Sequence, residues 1–486
     1  MKKYNLIFVL FILLTIGCTT GFEEINTNNN APEKVTAQLL LPNIQRSMIN
    51  EVLGTSWGIG NIVIQHTAKI QFVNEDRYLW GEINGIWNTG YNRLRDVENM
   101  MKIGEETNDN GVKGVALVMK SWIFSLITDC YGDAPYTEAT KAKSGIYYAK
   151  YEEQEKIYEG ILNDLKQAND LLASASGRLA GDLIYAGDYA KWRKLANSLR
   201  VRALMRISNK KNPSTELVAI INNPTANPVF TANADNAVYN YAANSPDQFP
   251  NFSARIGSFN EFRASKTLLD TLQSLNDPRL SIFFRPTPAT ESAANKVFIG
   301  VPNGMDDVTA LTYLGGSQNH SRIGPLWYED AITPAGLSIA KGVIMTYAEL
   351  QFLMAEAAQK GWINASANTF YENGIKASMA YYSVTMPDGY LSLPQIALSS
   401  NSTENLNKIG FQKWIASFYQ GLEAWFDWRR TGIPALKPGV SNQNANRIPV
   451  RFIYPIIEQS LNGANRTTAV SRQGVDDINT KMWHLK

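Results

Sequence analysis

The side chains best suited to catalysis are few and scattered in this 486-residue chain. The three histidines, His66, His320 and His484, lie far apart, and none forms the helical pair that a zinc site needs. The sequence has no Gly-x-Ser-x-Gly elbow and no phosphate-binding Gly-x-x-x-x-Gly-Lys, and Cys130 has no neighbouring base. We therefore predict no catalytic residue, no metal and no cofactor, and we expect each histidine to be structural.

Acidic residues offer two other kinds of chemistry. Residues 106–111, Glu-Thr-Asn-Asp-Asn-Gly, resemble part of a calcium loop, but Leu117 stands where the bidentate glutamate is needed. We expect a hydrated loop between helices there. The two carboxylates of a glycoside hydrolase can come from distant segments, so a surface hydrolase stays open as an alternative function.

Aromatic residues are abundant, with 11 Trp and 22 Tyr, and many stand in polar surroundings. Aromatic rings cover the flat, weakly polar faces of sugars and peptides at little cost in rotamer entropy. Three polar segments supply the candidate ligand platform: Tyr78, Trp80, Phe249, Phe252, Trp327 and Tyr328. For each of these, the alternative is a partly buried core position. Trp414, Trp425 and Trp428 recur at helical spacing and are assigned to the core.

The first residues predict the compartment. Two lysines precede the short apolar run 6–14, and Gly17 stands directly before Cys18. This pattern predicts that residues 1–17 are a cleaved signal peptide and that Cys18 carries the membrane anchor, a palmitate-type acyl group. The run is too short to cross the roughly 30 Å hydrocarbon layer. Thr15 occupies the position where a lipobox commonly has Leu, so an ordinary secretory signal is the alternative.

Charge and cysteine content exclude further classes. The chain has 46 basic and 44 acidic residues, so loss of Lys2 and Lys3 with the signal peptide leaves an equal number of each. Nucleic-acid binders need a concentrated positive surface, which neither this balance nor any basic run supplies. Once Cys18 is acylated, Cys130 has no partner, so we expect no disulfide.

Apolar residues at helical spacing predict a mainly α fold built of tetratricopeptide-like helix pairs. Helices are expected at 113–129, 152–173 and 189–207, the last with arginines placed around an apolar face. Thr346-Tyr347-Ala348-Glu349 is a capping box that opens another helix, which stops at Gly361. A partner helix is expected at about 365–382.

The chain is predicted to form one folded domain behind a tether. Residues 18–35 are polar and are expected to form a flexible leader, and 36–486 a single domain. Residues 223–342 are rich in Asn, Pro, Gly and Ser and are expected to form a loop-rich insertion. Long loops within a helical body are more often functional than decorative, so the insertion is predicted to carry the binding surface.

Five stretches resemble the SusD/RagB family of nutrient-binding outer-membrane lipoproteins, and the resemblance runs from Cys18 to the C-terminus. One stretch is the Tyr-Gly-Asp-Ala-Pro-Tyr sequence that begins at Tyr131. In order, the stretches are Gly21–Asn28, Tyr131–Ala139, Tyr347–Ala358, Gly421–Gly432 and Ile448–Pro455. Their residue types favour scaffold roles, so none of them is predicted to contact ligand.

The resemblance implies a SusD-like helical scaffold with an irregular ligand-facing region. It implies a lipoprotein anchored in the outer membrane and facing outward. It also implies a SusC-like TonB-dependent transporter as partner, to which the protein delivers a captured oligosaccharide or peptide without catalysis. The alternatives are the surface glycoside hydrolase and an adhesin or assembly lipoprotein that binds other proteins.

Overall fold

The computed structural model describes residues 35–242, 247–251, 254, 257–324, 327 and 337–486. Cys18, the predicted signal peptide and nearly all of the predicted leader lie outside the described residues. The chain divides into two units, Met1–Thr36 and Ala37–Lys486. The fold described below is that of the second unit.

Helices dominate this unit, which confirms the mainly α prediction. In chain order the α-helices are α1 (Ala37–Thr55), α2 (Asn61–Val63), α3 (Gly85–Glu106), α4 (Asn110–Tyr131), α5 (Gln154–Ala173), α6 (Tyr189–Arg206), α7 (Ser214–Ile221), α8 (Lys266–Ser274), α9 (Leu280–Phe283), α10 (Asp307–Thr312), α11 (Tyr347–Gln359), α12 (Ala367–Tyr381), α13 (Ser402–Ala416), α14 (Gly421–Thr431), α15 (Glu458–Leu461) and α16 (Gly463–Gln473). The helices predicted at 113–129, 152–173 and 189–207 are α4, α5 and α6.

Short antiparallel ribbons join the helices. The strands are β1 (Thr67–Lys69), β2 (Ala134–Pro135), β3 (Tyr151–Glu152), β4 (Ala237–Ala242), β5 (Phe262–Ala264) and β6 (Leu337–Met345). They pair as β1 with β5, β2 with β3, and β4 with β6. Within the described part of the predicted insertion, 223–342, the chain forms β4, β5, most of β6 and the short helices α8 to α10, joined by turns.

Antiparallel helix pairs build the scaffold, with α3 against α4, α4 against α5, and α11 against α12. The apolar face predicted for α5 is buried, including Ile157, Ile161 and Leu165. Helix α4 is apolar and long enough to cross a membrane, but 83% of its most apolar window is buried within the fold, as in a core helix. Small residues allow close pairing: a Cβ at Gly374 of α12 would lie 2.8 Å from the Phe352 ring of α11.

The predicted capping box at the start of α11 is half formed. The Thr346 hydroxyl accepts a hydrogen bond from the Glu349 amide at 3.1 Å, as expected. The Glu349 carboxylate does not return to Thr346. It accepts two hydrogen bonds from the Arg202 guanidinium of α6 instead, each at 2.6 Å, because a buried arginine needs a partner charge.

That contact corrects the prediction for α6. The spacing indicated arginines around an apolar face, but Arg200, Arg202 and Arg206 are all buried. Arg206 forms ion pairs with Asp129 of α4, at 3.2 Å, and with Glu423 of α14. The helix is therefore enclosed on most sides, and its arginines bind neighbouring helices rather than solvent.

Helix α14 extends this buried network. Arg430 pairs with Glu356 of α11 at 2.5 Å and with Asp427 at 2.9 Å, and Lys413 of α13 pairs with Asp427 at 2.9 Å. Burial alone would raise the pKa of Asp427, but Lys413 and Arg430 outweigh it and hold that pKa below its usual range. The network joins α4, α6, α11, α13 and α14. We name it the central ion-pair network.

Breaking one pair of this network is expected to be costly, because it leaves an uncompensated buried charge. Glu349→Leu leaves Arg202 with only its longer, 3.8 Å ion pair to Glu423. It should therefore lower the free energy of unfolding by about 3 kcal/mol, the lower end of the range for a broken buried pair. Glu372→Leu, which removes a half-exposed pair with Lys376, is the control and should cost less than about 1 kcal/mol. Urea denaturation followed by circular dichroism measures both. Equal, small losses would show that the network does not stabilise the fold.

Candidate ligand-binding site

The structure describes four of the six aromatic residues proposed as a ligand platform, and three of these four are buried. Tyr78 and Trp80 lie edge-on at 6.3 Å between ring centroids. Tyr78 and Phe249 are buried, and Trp327 is only 4% exposed. The Trp327 ring stacks on Tyr419 at 5.0 Å between centroids. Phe252 and Tyr328 lie outside the described residues. Three of the four described rings thus face protein rather than solvent, and Trp80 alone among these four is half-exposed.

The Trp80 ring packs against two other aromatic rings and lies beside open space. Its ring meets Trp425 of α14 and Phe452 edge-on, each at 5.8 Å between centroids. Its indole Nε1 donates to the Glu75 carbonyl at 2.9 Å. Next to it, a Cβ added at Gly81 would meet nothing within 4 Å. The ring is therefore fixed in orientation beside open space.

The turn of residues 70–80 that carries Trp80 is anchored by buried polar groups. The Asp76 carboxylate accepts hydrogen bonds from the Lys69 amide at 3.1 Å and from the Asn303 side chain at 2.8 Å. Arg77 Nε donates to the Ser441 carbonyl at 2.9 Å. Burial, the dominant cause, raises the pKa of Asp76 to about 7. Tyr78 belongs to this turn and has a φ of 62°. Its side chain is buried, so it helps to anchor the turn in the fold.

Phe72 stands at the tip of the same turn. It is 70% exposed, and its φ of 52° lies in the left-handed region that non-glycine residues rarely adopt. Exposing a phenylalanine and straining its backbone are both unfavourable, and such combinations cluster at functional sites. The fold gives Phe72 no packing role that would compensate, because its ring points to solvent.

Trp57 adds another half-exposed ring. It lies in a π-helical segment, Ser56–Gly60, that continues α1, and such segments are frequent at functional sites. Its ring packs against Phe262 of β5 at 4.8 Å between centroids. Its Nε1 is buried and has no hydrogen-bond acceptor among the described residues. One turn earlier, a Cβ at Gly54 would meet nothing within 4 Å.

A chain of contacts links Trp57 to Trp80. The Lys69 ammonium lies 5.4 Å from the centre of the Phe262 ring, on which Trp57 packs. The same ammonium pairs with Glu75 at 2.9 Å and with Glu261 at 3.6 Å. The backbone carbonyl of Glu75, in turn, accepts the hydrogen bond from the Trp80 indole. We name Trp57, Phe72 and Trp80 the aromatic rim. The Glu75 and Glu261 carboxylates and the Lys69 ammonium lie along the contacts that link Trp57 to Trp80.

Comparison with known proteins decides the family. A SusD-like family model, described as starch-binding and associating with the outer membrane, matches residues 29–455. This chain belongs to the SusD-like family. The resemblance found in the sequence is therefore confirmed.

Solved structures agree with this membership. A SusD homologue from Bacteroides fragilis is 27% identical, covers 93% of this chain and 100% of its own, and superposes with a TM-score of 0.80. A chitin-binding protein is 27% identical, covers 92% and 99%, and has a TM-score of 0.78. SusD-like protein P2 of Formosa agariphila is 26% identical over 39% of this chain, and the match spans 45% of that relative's length.

In this SusD-like protein the three histidines and the acidic loop at residues 106–111 make contacts within the scaffold. His66, His320 and His484 each hydrogen-bond within the fold, to the Trp414 carbonyl, the Tyr313 carbonyl and the Gln154 side chain. Burial lowers the pKa of His66 to about 3. The acidic loop near residue 109 caps α4, because Asp109 accepts from the Val112 amide at 3.0 Å. Among the described residues, no cluster of His, Cys, Asp or Glu is arranged to hold a metal ion.

Sequence reasoning selected Trp80 but missed Trp57 and Phe72. A signal for Trp57 was present in the sequence, since three glycines, at 54, 58 and 60, surround it. Gly60 is explained by packing, because a Cβ there would lie 2.6 Å from the Gly421 backbone. Gly54 and Gly58 have no such reason. No signal marked Phe72, because a left-handed backbone cannot be read from one residue type.

The raised pKa of Asp76 predicts a pH dependence for the anchor of the turn. Between about pH 4 and 7 the unfolded state loses the Asp76 proton while the folded state keeps it. Stability should therefore fall as pH rises, by about 1.4 kcal/mol per pH unit from this group. In Asp76→Asn that contribution is absent, so its unfolding free energy should fall less steeply over this window. Parallel curves for the two proteins would contradict the assignment.

Proposed function

We propose that this protein captures an oligosaccharide at the aromatic rim, without catalysis, on the outer surface of the outer membrane. Trp57 and Trp80 supply fixed, half-exposed rings, and Phe72 supplies an exposed one. Rings in this state can cover the apolar faces of sugar units without paying for a large loss of rotamer freedom. The family description as starch-binding and the chitin-binding relative support a glycan as the ligand class.

The glycines beside the rim carry the proposal. Gly54, Gly58 and Gly81 adopt no left-handed conformation and would meet no atom if they carried a Cβ. The fold therefore does not require glycine at these positions. Glycine also permits close approach of a ligand to the backbone. Here the absence of a side chain leaves space for a ligand beside each tryptophan. We infer that a bound chain passes across these glycines and stacks on the rings.

Polar groups of the rim would fix the orientation of that chain. Sugar hydroxyls can donate to the Glu75 and Glu261 carboxylates, which stay oriented because both pair with Lys69. Ligand sites commonly combine apolar contact area with a few placed polar groups of this kind. Under the alternative function, a glycoside hydrolase, Glu75 and Glu261 are the candidate pair of catalytic carboxylates. Release of shorter sugars by the protein, lost in Glu75→Gln or Glu261→Gln, would favour that alternative.

We also propose that the protein delivers its ligand to a SusC-like TonB-dependent transporter and is held beside it by lipid on Cys18. The family description, which places its members at the outer membrane, supports this partnership. Two exposed valines near the rim offer apolar contacts to a protein partner: Val308 on α10 is 73% exposed and Val440 is 90% exposed. The segments that carry these two valines are adjacent, because the backbone amide of Ser441 donates to the Gly304 carbonyl at 2.9 Å.

Calorimetric titration with chitohexaose and maltohexaose tests the binding site. We expect Trp57→Ala and Trp80→Ala to weaken binding of the preferred sugar by roughly tenfold or more, as central aromatic contacts do. Gly54→Leu and Gly81→Leu should block binding while leaving thermal stability nearly unchanged. Gly463→Leu, at another open glycine, is the control. Undiminished affinity in all four rim variants, or binding of peptides in place of sugars, would overturn the proposed glycan site.

Affinity purification from detergent-solubilised outer membranes tests the partner. The wild-type protein should recover a large β-barrel transporter. The double variant Val308→Asp, Val440→Asp should recover less of it while binding sugar as before, because charges on an apolar contact surface must be desolvated. Recovery of other surface proteins without a barrel would favour the adhesin alternative.

A further inference from the structure

A cavity lies in the helical scaffold and shares no residue with the aromatic rim. It is a cleft between α3 and α4, closed by the turn of residues 136–141, with a volume of about 290 Å³. Its size is near the lower end of the range for small-molecule sites. Its lining residues are Leu94, Val97, Glu98, Met101, Leu117, Lys120, Phe124, Tyr136, Thr137, Ala139, Thr140 and Lys141.

The floor of this cleft is apolar and rigid. Leu94, Val97, Leu117 and Phe124 are buried core residues. Phe124 holds the ring of Tyr136 edge-on at 4.6 Å between centroids. These five side chains leave an apolar surface that the fold does not fill.

The polar groups at the inner wall neutralise one another. Tyr136 donates to Asp164 at 3.1 Å, and Lys120 pairs with the same carboxylate at 2.9 Å. The Lys120 ammonium also lies 5.4 Å from the centre of the Tyr136 ring. These contacts fix the ring and leave no unbalanced charge at that wall.

Two opposite charges remain at the mouth. Glu98 on α3 and Lys141 on the facing turn are both exposed, and neither side chain forms an ion pair or hydrogen bond with a described residue. Lys141 follows Thr140, whose φ of 66° is rare for a β-branched residue. The strained backbone directs the turn over the cleft, and strain of this kind is concentrated at ligand sites.

We propose that this cleft binds a small zwitterion with an apolar body, of the size of a hydrophobic dipeptide. The ammonium group lies at Glu98, the carboxylate lies at Lys141, and the apolar side chains contact the floor. Opposite charges at the two sides of one mouth complement a zwitterion better than they complement a neutral sugar or a singly charged lipid. The site is independent of glycan capture at the rim.

Titration of the full mature protein with leucyl-leucine, followed by calorimetry, tests the proposal. Wild-type protein should bind it saturably, and N-acetyl-leucyl-leucine amide, which carries no charge, should bind about tenfold or more weakly. Glu98→Lys and Lys141→Glu should each cause a similar loss. The double variant Glu98→Lys, Lys141→Glu should regain binding, because the dipeptide can bind in the reversed direction.

Several results would overturn this assignment: no binding of leucyl-leucine at millimolar concentration, equal affinity for the blocked dipeptide, or single charge reversals without effect. Both positions are on the surface, so thermal unfolding of each variant should match the wild type. The same variants should titrate chitohexaose or maltohexaose as the wild type does. Failure of the cleft and failure of the rim are therefore separate outcomes.

Discussion

The buried charges on α14 are the constraint on which the rest of the structure depends. Glu423, Asp427 and Arg430 project into the central ion-pair network and tie α14 to α6, α11 and α13. Arg206 of α6 extends the network to Asp129 of α4. Buried charges tolerate little displacement, since each one lost from its partner is left without solvation. The network thus fixes the position of α14 more strictly than apolar packing alone would.

The same helix supports the aromatic rim. Trp425 of α14 lies under Trp80, and a Cβ on Gly421 would come within 2.2 Å of the Asn61 amide, directly after the π-helical segment that carries Trp57. Two rings of the rim are therefore positioned by one helix. Phe72 is positioned differently, by a turn whose buried Asp76 holds it to β1 and to Asn303. Rigid support of this kind lets exposed rings bind without first being ordered.

Local patterns in the sequence predicted much of the scaffold, because helical periodicity and capping depend on neighbouring residues. The helices α4, α5 and α6 and the threonine cap at Thr346 follow such rules. The ion pair of Glu349 could not be predicted from such rules, since its partner Arg202 lies 147 positions away along the chain. For the same reason Tyr78, Phe249 and Trp327 could not be distinguished from surface rings. Whether an aromatic side chain is covered depends on tertiary neighbours, and the sequence does not display them.

The proposed function depends most directly on contact between the ligand and Trp57, Phe72 and Trp80. Hydroxyl-radical footprinting of the intact protein, with and without a saturating soluble oligosaccharide, measures this without any substitution. We expect slower oxidation of these three side chains when sugar is bound. Oxidation of exposed Tyr147 and Tyr148, on a remote stretch of the sequence, should be unchanged. Protection confined to other residues, with the three rings oxidised as fast as before, would contradict it.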